Sequence, residues 1–337
     1  MQQILKAAVL ATLFTACTQP AMHSLPPIPD AAYAKGVSAP FCGLLSGNLV
    51  VAGGANFPDK PLLEGGAKRV YDDIWQLKGA EWKHLGHLPD STAYGATFGT
   101  PDGLVLAGGN VCGSTTDKVY LLKSDGTLIS LPPLPVPVEQ AAPAQADGFL
   151  YLVGGDSVFR CREGEWEWNR LATLPMPLTQ PVAFVHSDAL YLWGGFNAQT
   201  LDVPADGWKL SLQDPAQGWE TAPGIPDGGT FVGSAGTVLP DGRLAVVGGV
   251  NRDIFARALH NTPEDRIPYL SKEPWEYHFR SAVYAFDPIA EAWSLLADDP
   301  ACALAGPGLC ASGHSLYVAG GELKPGVRSP HIFTLAW

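Results

Sequence analysis

The chain has 337 residues, 46% of them hydrophobic and only 16% charged, which supplies ample apolar material for a core and argues against disorder. A net charge of -12 without clustered Lys and Arg excludes a nucleic-acid binder, because neutralising phosphates needs such clusters. The 38 Gly and 30 Pro favour many short strands and tight turns over long helices, so the expected class is all-β.

At the N-terminus Lys6 provides a positive start, Ala7 to Phe14 an apolar run too short to cross a bilayer, and Thr15-Ala16 small residues ahead of Cys17. Residues 1–16 are therefore expected to be a signal peptide and the protein to be exported. Leu13-Phe14-Thr15-Ala16-Cys17 also resembles a bacterial lipobox. That would make Cys17 a lipid-attachment site, 17–22 a linker, and the protein a periplasmic or outer-membrane-anchored lipoprotein with a lipid anchor to the membrane; plain secretion and a fortuitous apolar start are the alternatives.

Beyond this point the chain repeats. Six apolar runs end in a glycine pair: Leu49 to Gly54, Leu104 to Gly109, Leu150 to Gly155, Leu190 to Gly195, Leu244 to Gly249 and Leu316 to Gly321. Each follows a turn signal and an earlier strand-like stretch, and so reads as the second arm of a hairpin. A third stretch rich in aromatic and β-branched residues follows each pair, from Asp73-Ile74-Trp75-Gln76-Leu77 in the first unit to His331-Ile332-Phe333-Thr334-Leu335 in the last. A fourth usually carries Trp and closes on an apolar-Pro step, as in Trp82 to Pro89 and Trp219 to Pro226.

Four strands in each of six units predict a β-propeller. The sixth unit stops at Trp337 after its third strand, and His23-Ser24-Leu25-Pro26-Pro27-Ile28-Pro29 has the right apolar-Pro ending to complete it. Residues 23–337 are thus expected to form a single six-bladed β-propeller, with 23–29 closing the last blade and removing the exposed edges. The glycine pair, the third-strand aromatic and the fourth-strand Trp together resemble the Kelch repeat, a scaffold shared by enzymes and binding modules alike.

In such a meander the loops after the glycine pairs share one face, where function is expected. Their first polar residues are Asn56, Asn110, Asp156, Asn197, Asn251 and Glu322, which either ring the channel mouth or simply satisfy local turns. The first loop, 55–72, and the fifth, 250–279, are long. Ile254, Phe255, Ala258 and Leu259 have helical spacing, so the fifth is expected to be a short helical lid or a plug. In the sixth loop Pro325-Gly326 suits the centre of a type II turn, which would bring Glu322 and Arg328 together, as a working pair or as a surface ion pair.

Cys42, Cys112, Cys161, Cys302 and Cys310 include no Cys-x-x-Cys pair, and no His lies at zinc-ligand spacing, so no structural metal is expected. Cys302 and Cys310 either pair or are buried small hydrophobes.

Gly321-Glu322-Leu323-Lys324-Pro325-Gly326-Val327-Arg328, with Gly248-Gly249-Val250-Asn251-Arg252-Asp253-Ile254-Phe255 and Gly53-Gly54-Ala55-Asn56-Phe57-Pro58-Asp59, resembles the N-acetylneuraminate epimerases, or sialic acid mutarotases. The order of the units resembles the cyclically permuted branch of that family. The resemblance implies an isomerase of carbohydrate metabolism that interconverts the α- and β-anomers of sialic acid without a cofactor or metal. It makes Glu322 and Arg328 the catalytic pair and Lys324, Asn56 and Asn251 substrate-binding residues. Where relatives carry an Arg, this chain has Asp90-Ser91-Thr92-Ala93-Tyr94-Gly95 and Leu178-Thr179-Gln180, so the exact sugar acid stays open. A sialidase is disfavoured because the repeated Ser-x-Asp-x-Gly-x-Thr-Trp box is missing, and a copper oxidase because His186, His260, His314 and His331 show no convergent pattern. The remaining rivals are a non-catalytic Kelch module that binds a glycan or protein, and a mutarotase for another sugar acid.

Overall fold

The computed structural model describes residues 22–337, which are all-β apart from two short helices and several 3-10 turns. The expected signal peptide and Cys17 lie outside the described residues. Antiparallel four-stranded meanders recur along the chain. The first comprises Phe41–Leu45, Asn48–Ala52, Asp73–Lys78 and Glu81–His87, and the second Ala96–Thr100, Gly103–Ala107, Val119–Leu122 and Leu128–Leu131. The next two units share one six-stranded sheet, because Phe149–Arg162 and Trp168–His186 run on through positions where other units have loops. Ser234–Val238, Leu244–Gly248, Ala282–Asp287 and Ala292–Asp298 form the fifth.

The last sheet joins the two ends of the described chain. Gly308–Ser312, Ser315–Ala319 and Ile332–Ala336 are followed at the edge by Met22–Ser24, with Met22 opposite Leu335 and Ser24 opposite Phe333. Among the described residues the strand is Met22–Ser24, ending well short of the expected 23–29. Leu25 gives the last ladder bond, to the Ile332 carbonyl, and Pro26 and Pro27 have no N–H to continue it. The proline segment instead crosses to the first meander, where Trp82 donates to the Pro26 carbonyl at 2.8 Å and Ile28 enters the core.

The glycine pairs are required by close packing. At Gly53 (φ 63°) an added Cβ would lie 2.1 Å from the Thr92 carbonyl oxygen, and at Gly320 (φ 65°) 2.1 Å from that of Val37. Five of the six pairs press in this way against the segment leading into the following meander; at Gly154-Gly155 the near contact is Ala141, ahead of the same meander. First strands of successive meanders lie side by side: 308–312 beside 41–45, that beside 96–100, then 142–146, the later part of 168–186, and 234–238, which again adjoins 308–312. Apolar clusters fill the space between adjacent sheets, for example Val182, Phe184, Trp193, Phe231, Val246 and Phe286.

Just ahead of these strands, Gly233, Gly306, Ala39, Tyr94, Gln140 and Gln180 all have φ between 51° and 73°. Backbone hydrogen bonds of 2.6–2.9 Å run head to tail through them, from Gly306 N–H to Gly233 O, Ala39 to Gly306, Tyr94 to Ala39, Gln140 to Tyr94 and Gln180 to Gln140. Four of the six are not glycine and carry the steric cost of the left-handed region. Ala39→Gly is therefore expected to raise unfolding free energy by about 1 kcal/mol in denaturant titration.

Cys302 and Cys310 are free, buried thiols, as the small-hydrophobe alternative expects. The neighbour of Cys310 is Cys42, on the adjoining first strand; hydrogen bonding to it, together with burial, holds the Cys310 thiol well above its ordinary value.

Candidate active site

Glu322–Lys324 and Val327–Arg328 form a two-stranded hairpin in which Glu322 is paired with Arg328. The turn follows from its residues: Gly326 has φ 84°, and an added Cβ there would lie 2.5 Å from that of Leu62, which packs over it from the first loop. Below the turn, Glu322 N–H donates to Ala305 O at 2.6 Å and the Glu322 carbonyl accepts from Ala305 N–H at 2.9 Å, while Ser329 N–H donates to Gly321 O at 2.8 Å. The hairpin is thereby fixed to the rigid meander beneath it.

The two side chains are unequal. Arg328 is 3% exposed and ion-pairs with Glu322 through Nη1; its Nε donates to Ala55 O at 3.1 Å and its guanidinium lies 5.2 Å over the Phe57 ring. Glu322 is 26% exposed, so it is the member of the pair that solvent and solutes can reach. Burial in the recess pushes its carboxyl above the usual range, against the opposing pull of Arg328, the Gly326 N–H and Lys68. A recessed carboxyl of raised pKa, oriented by a fixed cation, is suited to both accepting and returning a proton.

The other expected site residues are placed differently. Asn56 is fully buried: its Nδ2 donates to Ala32 O and Gly36 O at 3.0 and 2.8 Å, and its Oδ1 accepts from Tyr71 hydroxyl at 2.7 Å. It pins the N-terminal segment to the first loop and has no polar atom left for a substrate. Asn56→Ala is expected to lower stability by about 2 kcal/mol in denaturant titration, because three buried polar groups lose their partner. Asn251 caps the helix α1 (Arg252–Ala258), accepting from Ile254 N–H at 3.0 Å, as its local-turn reading anticipates. Lys324 turns away from the pair. Its Nζ donates to Leu270 O at 3.4 Å and Lys272 O at 2.6 Å, so it caps the C-terminus of the second helix, α2 (Pro263–Leu270).

That contact fastens the fifth insertion to the Glu322–Arg328 hairpin. The insertion is helical where the spacing predicts it, and it brings Tyr269 within the field of Glu322. Burial first, then Tyr277 and Glu322, push the Tyr269 phenol up to about 12, so it stays a hydrogen-bond donor at neutral pH. Lys68, in the first loop, was not among the expected binding residues. Its Nζ lies 3.3 Å from Tyr94 hydroxyl and 4.9 Å over that ring, close enough to lower the Glu322 pKa. Lys68 thus places a cation beside Tyr94, in the segment 90–95.

Fold and site together define an all-β protein of repeated four-stranded meanders, one loop of which holds a partly exposed carboxylate on a buried arginine. The chain belongs to the N-acetylneuraminate epimerase family, whose model matches residues 15–131 and 131–336. An N-acetylneuraminate epimerase from Brucella suis is 36% identical over 120 residues, 33% of this chain and 31% of that protein. One from Salmonella typhimurium is 24% identical over 238 residues, 64% of this chain and 61% of that protein. The chain therefore spans less than two thirds of the length of these relatives. A solved structure titled "Structure of YjhT" has a TM-score of 0.54 at 24% identity, covering 61% of this chain and 65% of that one, and is similar in fold.

Proposed function

We propose that the protein is a six-bladed, ring-closed β-propeller that interconverts the α- and β-anomers of N-acetylneuraminate. The closed ring is supported by the side-by-side first strands that lead back to 308–312, the head-to-tail backbone bonds through six left-handed residues, and the pairing of Met22–Ser24 with Ile332–Ala336. The observation that carries the activity is the exposed face of Glu322, raised in pKa and held by the buried Arg328.

In this reading Glu322 takes the proton of the anomeric hydroxyl as the bond from C2 to the ring oxygen breaks, and then returns that proton to the ring oxygen. The open form is a ketone. Rotation about the bond from C2 to C3 presents the other carbonyl face, and the same proton transfers run in reverse to reclose the ring. Arg328, with Nε and Nη1 already engaged, keeps Glu322 in place and lends positive charge. Lys68 is the exposed cation best placed for the substrate carboxylate, as a point charge where Arg would give a fork. Tyr269 supplies a phenol donor from the lid.

The test is a proton NMR time course on freshly released α-N-acetylneuraminate with and without protein, run in parallel on a neutral hexose. Faster conversion of the sugar acid alone is expected. No acceleration of either sugar would leave a binding module, and equal acceleration of both would remove the carboxylate-recognition part of the reading.

A further inference from the structure

His84 and His87 are three residues apart on the strand Glu81–His87, a spacing that in a regular strand puts side chains on opposite faces. The register shows otherwise. Trp75 pairs with His84, Ile74 with Gly86 and Asp73 with His87, so Leu85 is an extra residue, and Gly86 takes φ 140° to accommodate it. The bulge returns both imidazoles to the face that carries Asp73 and Trp75.

Three donor atoms converge there. His84 Nε2 is 2.9 Å and His87 Nδ1 3.4 Å from Asp73 Oδ1, and all three lie within 4.8 Å of one another. Asp72 Oδ1 adds a fourth, 3.5 Å from His87 Nδ1. Donors bound to one tetrahedral zinc at its usual bond lengths are about 3.4 Å apart, so the Asp73 contacts already approximate that spacing. The imidazole planes are inclined at 67°, with centroids 4.8 Å apart, rather than stacked flat as two side chains packing only on each other could be.

The surroundings fix the donors without closing the site. Asp73 Oδ2 accepts from Tyr33 hydroxyl at 3.4 Å, leaving Oδ1 toward the histidines, and the Trp75 ring packs edge-on against His84 at 4.8 Å. His84 and His87 are 35% and 57% exposed, open to an ion from solution. Two imidazoles and two carboxylates match the donor preference of a borderline divalent ion, and the carboxylates balance its charge.

We propose that Asp73, His84 and His87, with Asp72 as the fourth donor, bind a divalent transition ion of the Zn2+ class. The ion would join the third and fourth strands of the first blade and, through Tyr33, the N-terminal segment. It shares no residue with the Glu322 hairpin and takes no part in the proton transfers.

The experiment uses full-length protein with any affinity tag removed and bound metal stripped. Zn2+ is titrated against a chromogenic chelator, and melting is followed with and without Zn2+. One equivalent should bind and raise the melting temperature. His84→Ala and His87→Ala, both at solvent-reached positions, should each weaken binding by more than about 10-fold, the cost of losing even an outer partner of a metal site. As a check independent of any variant, Cu2+ bound to the wild-type protein should show two imidazole nitrogens in its electron paramagnetic resonance spectrum. Zn2+ affinity unchanged in both variants, or no binding even at millimolar Zn2+, would overturn the proposal, the latter reducing the cluster to His–Asp hydrogen bonds.

Discussion

Glu322→Gln should reduce the catalysed rate of α-to-β conversion by about 100- to 10,000-fold, the range over which a positioned acid–base group acts. The substitution preserves shape and still accepts a hydrogen bond from Arg328, so the loss isolates proton transfer. Burial raises the Glu322 pKa above the ordinary 4.5, so the wild-type rate should fall as pH drops through a value above 4.5, where the base becomes protonated. The stability effect has the opposite sense. A carboxyl with a raised folded pKa contributes stability that is complete below 4.5 and lost as pH rises through the folded value. Compared with wild type, Glu322→Gln should therefore gain stability on going from acid to neutral pH. A proton NMR rate profile and denaturant titrations at several pH values measure both; full activity in the variant would remove Glu322 from the mechanism.

Arg328→Met should be the most destabilising single change at the site, by about 3 kcal/mol at neutral pH, because it leaves Glu322 in its recess without a counter-charge. It also strips the Ala55 carbonyl of a donor and the Phe57 ring of its cation. The deficit should shrink in acid, where Glu322 is neutral. The double variant Glu322→Gln with Arg328→Met should recover part of it, the signature of coupled neighbours. Equal losses at pH 5 and pH 8 would mean that packing, not charge, makes Arg328 indispensable.

The all-β architecture was legible because repeated meanders advertise themselves locally. Glycine pairs, third-strand aromatics and apolar-Pro steps each report a position within one meander, whereas Pro26 and Pro27, which lack an N–H, end the ladder sooner than the apolar-Pro pattern suggests. The Glu322–Arg328 pair was legible for a similar reason, since Pro325-Gly326 dictates the reversal that aligns them. Asn56 shows where this breaks down: a polar residue after two glycines looks the same whether it faces solvent or is consumed by Ala32, Gly36 and Tyr71. Lys324 and Lys68 depended on the paths of two long insertions, which determine whether an ammonium meets helix carbonyls or the mouth of the recess. The His84–His87 juxtaposition was hidden by a single extra residue, because a bulge changes strand parity without changing composition.

The edge formed by Met22–Ser24 on Ile332–Ala336 also has a mechanical consequence. The strands are antiparallel, and Met22 and Leu335, close to the two ends of the described residues, sit opposite each other. Tension between those ends would load the ladder one bond at a time, like opening a zipper, so the edge yields at low force. A pull on either end alone, with the other left slack, would pass into the body of the molecule instead.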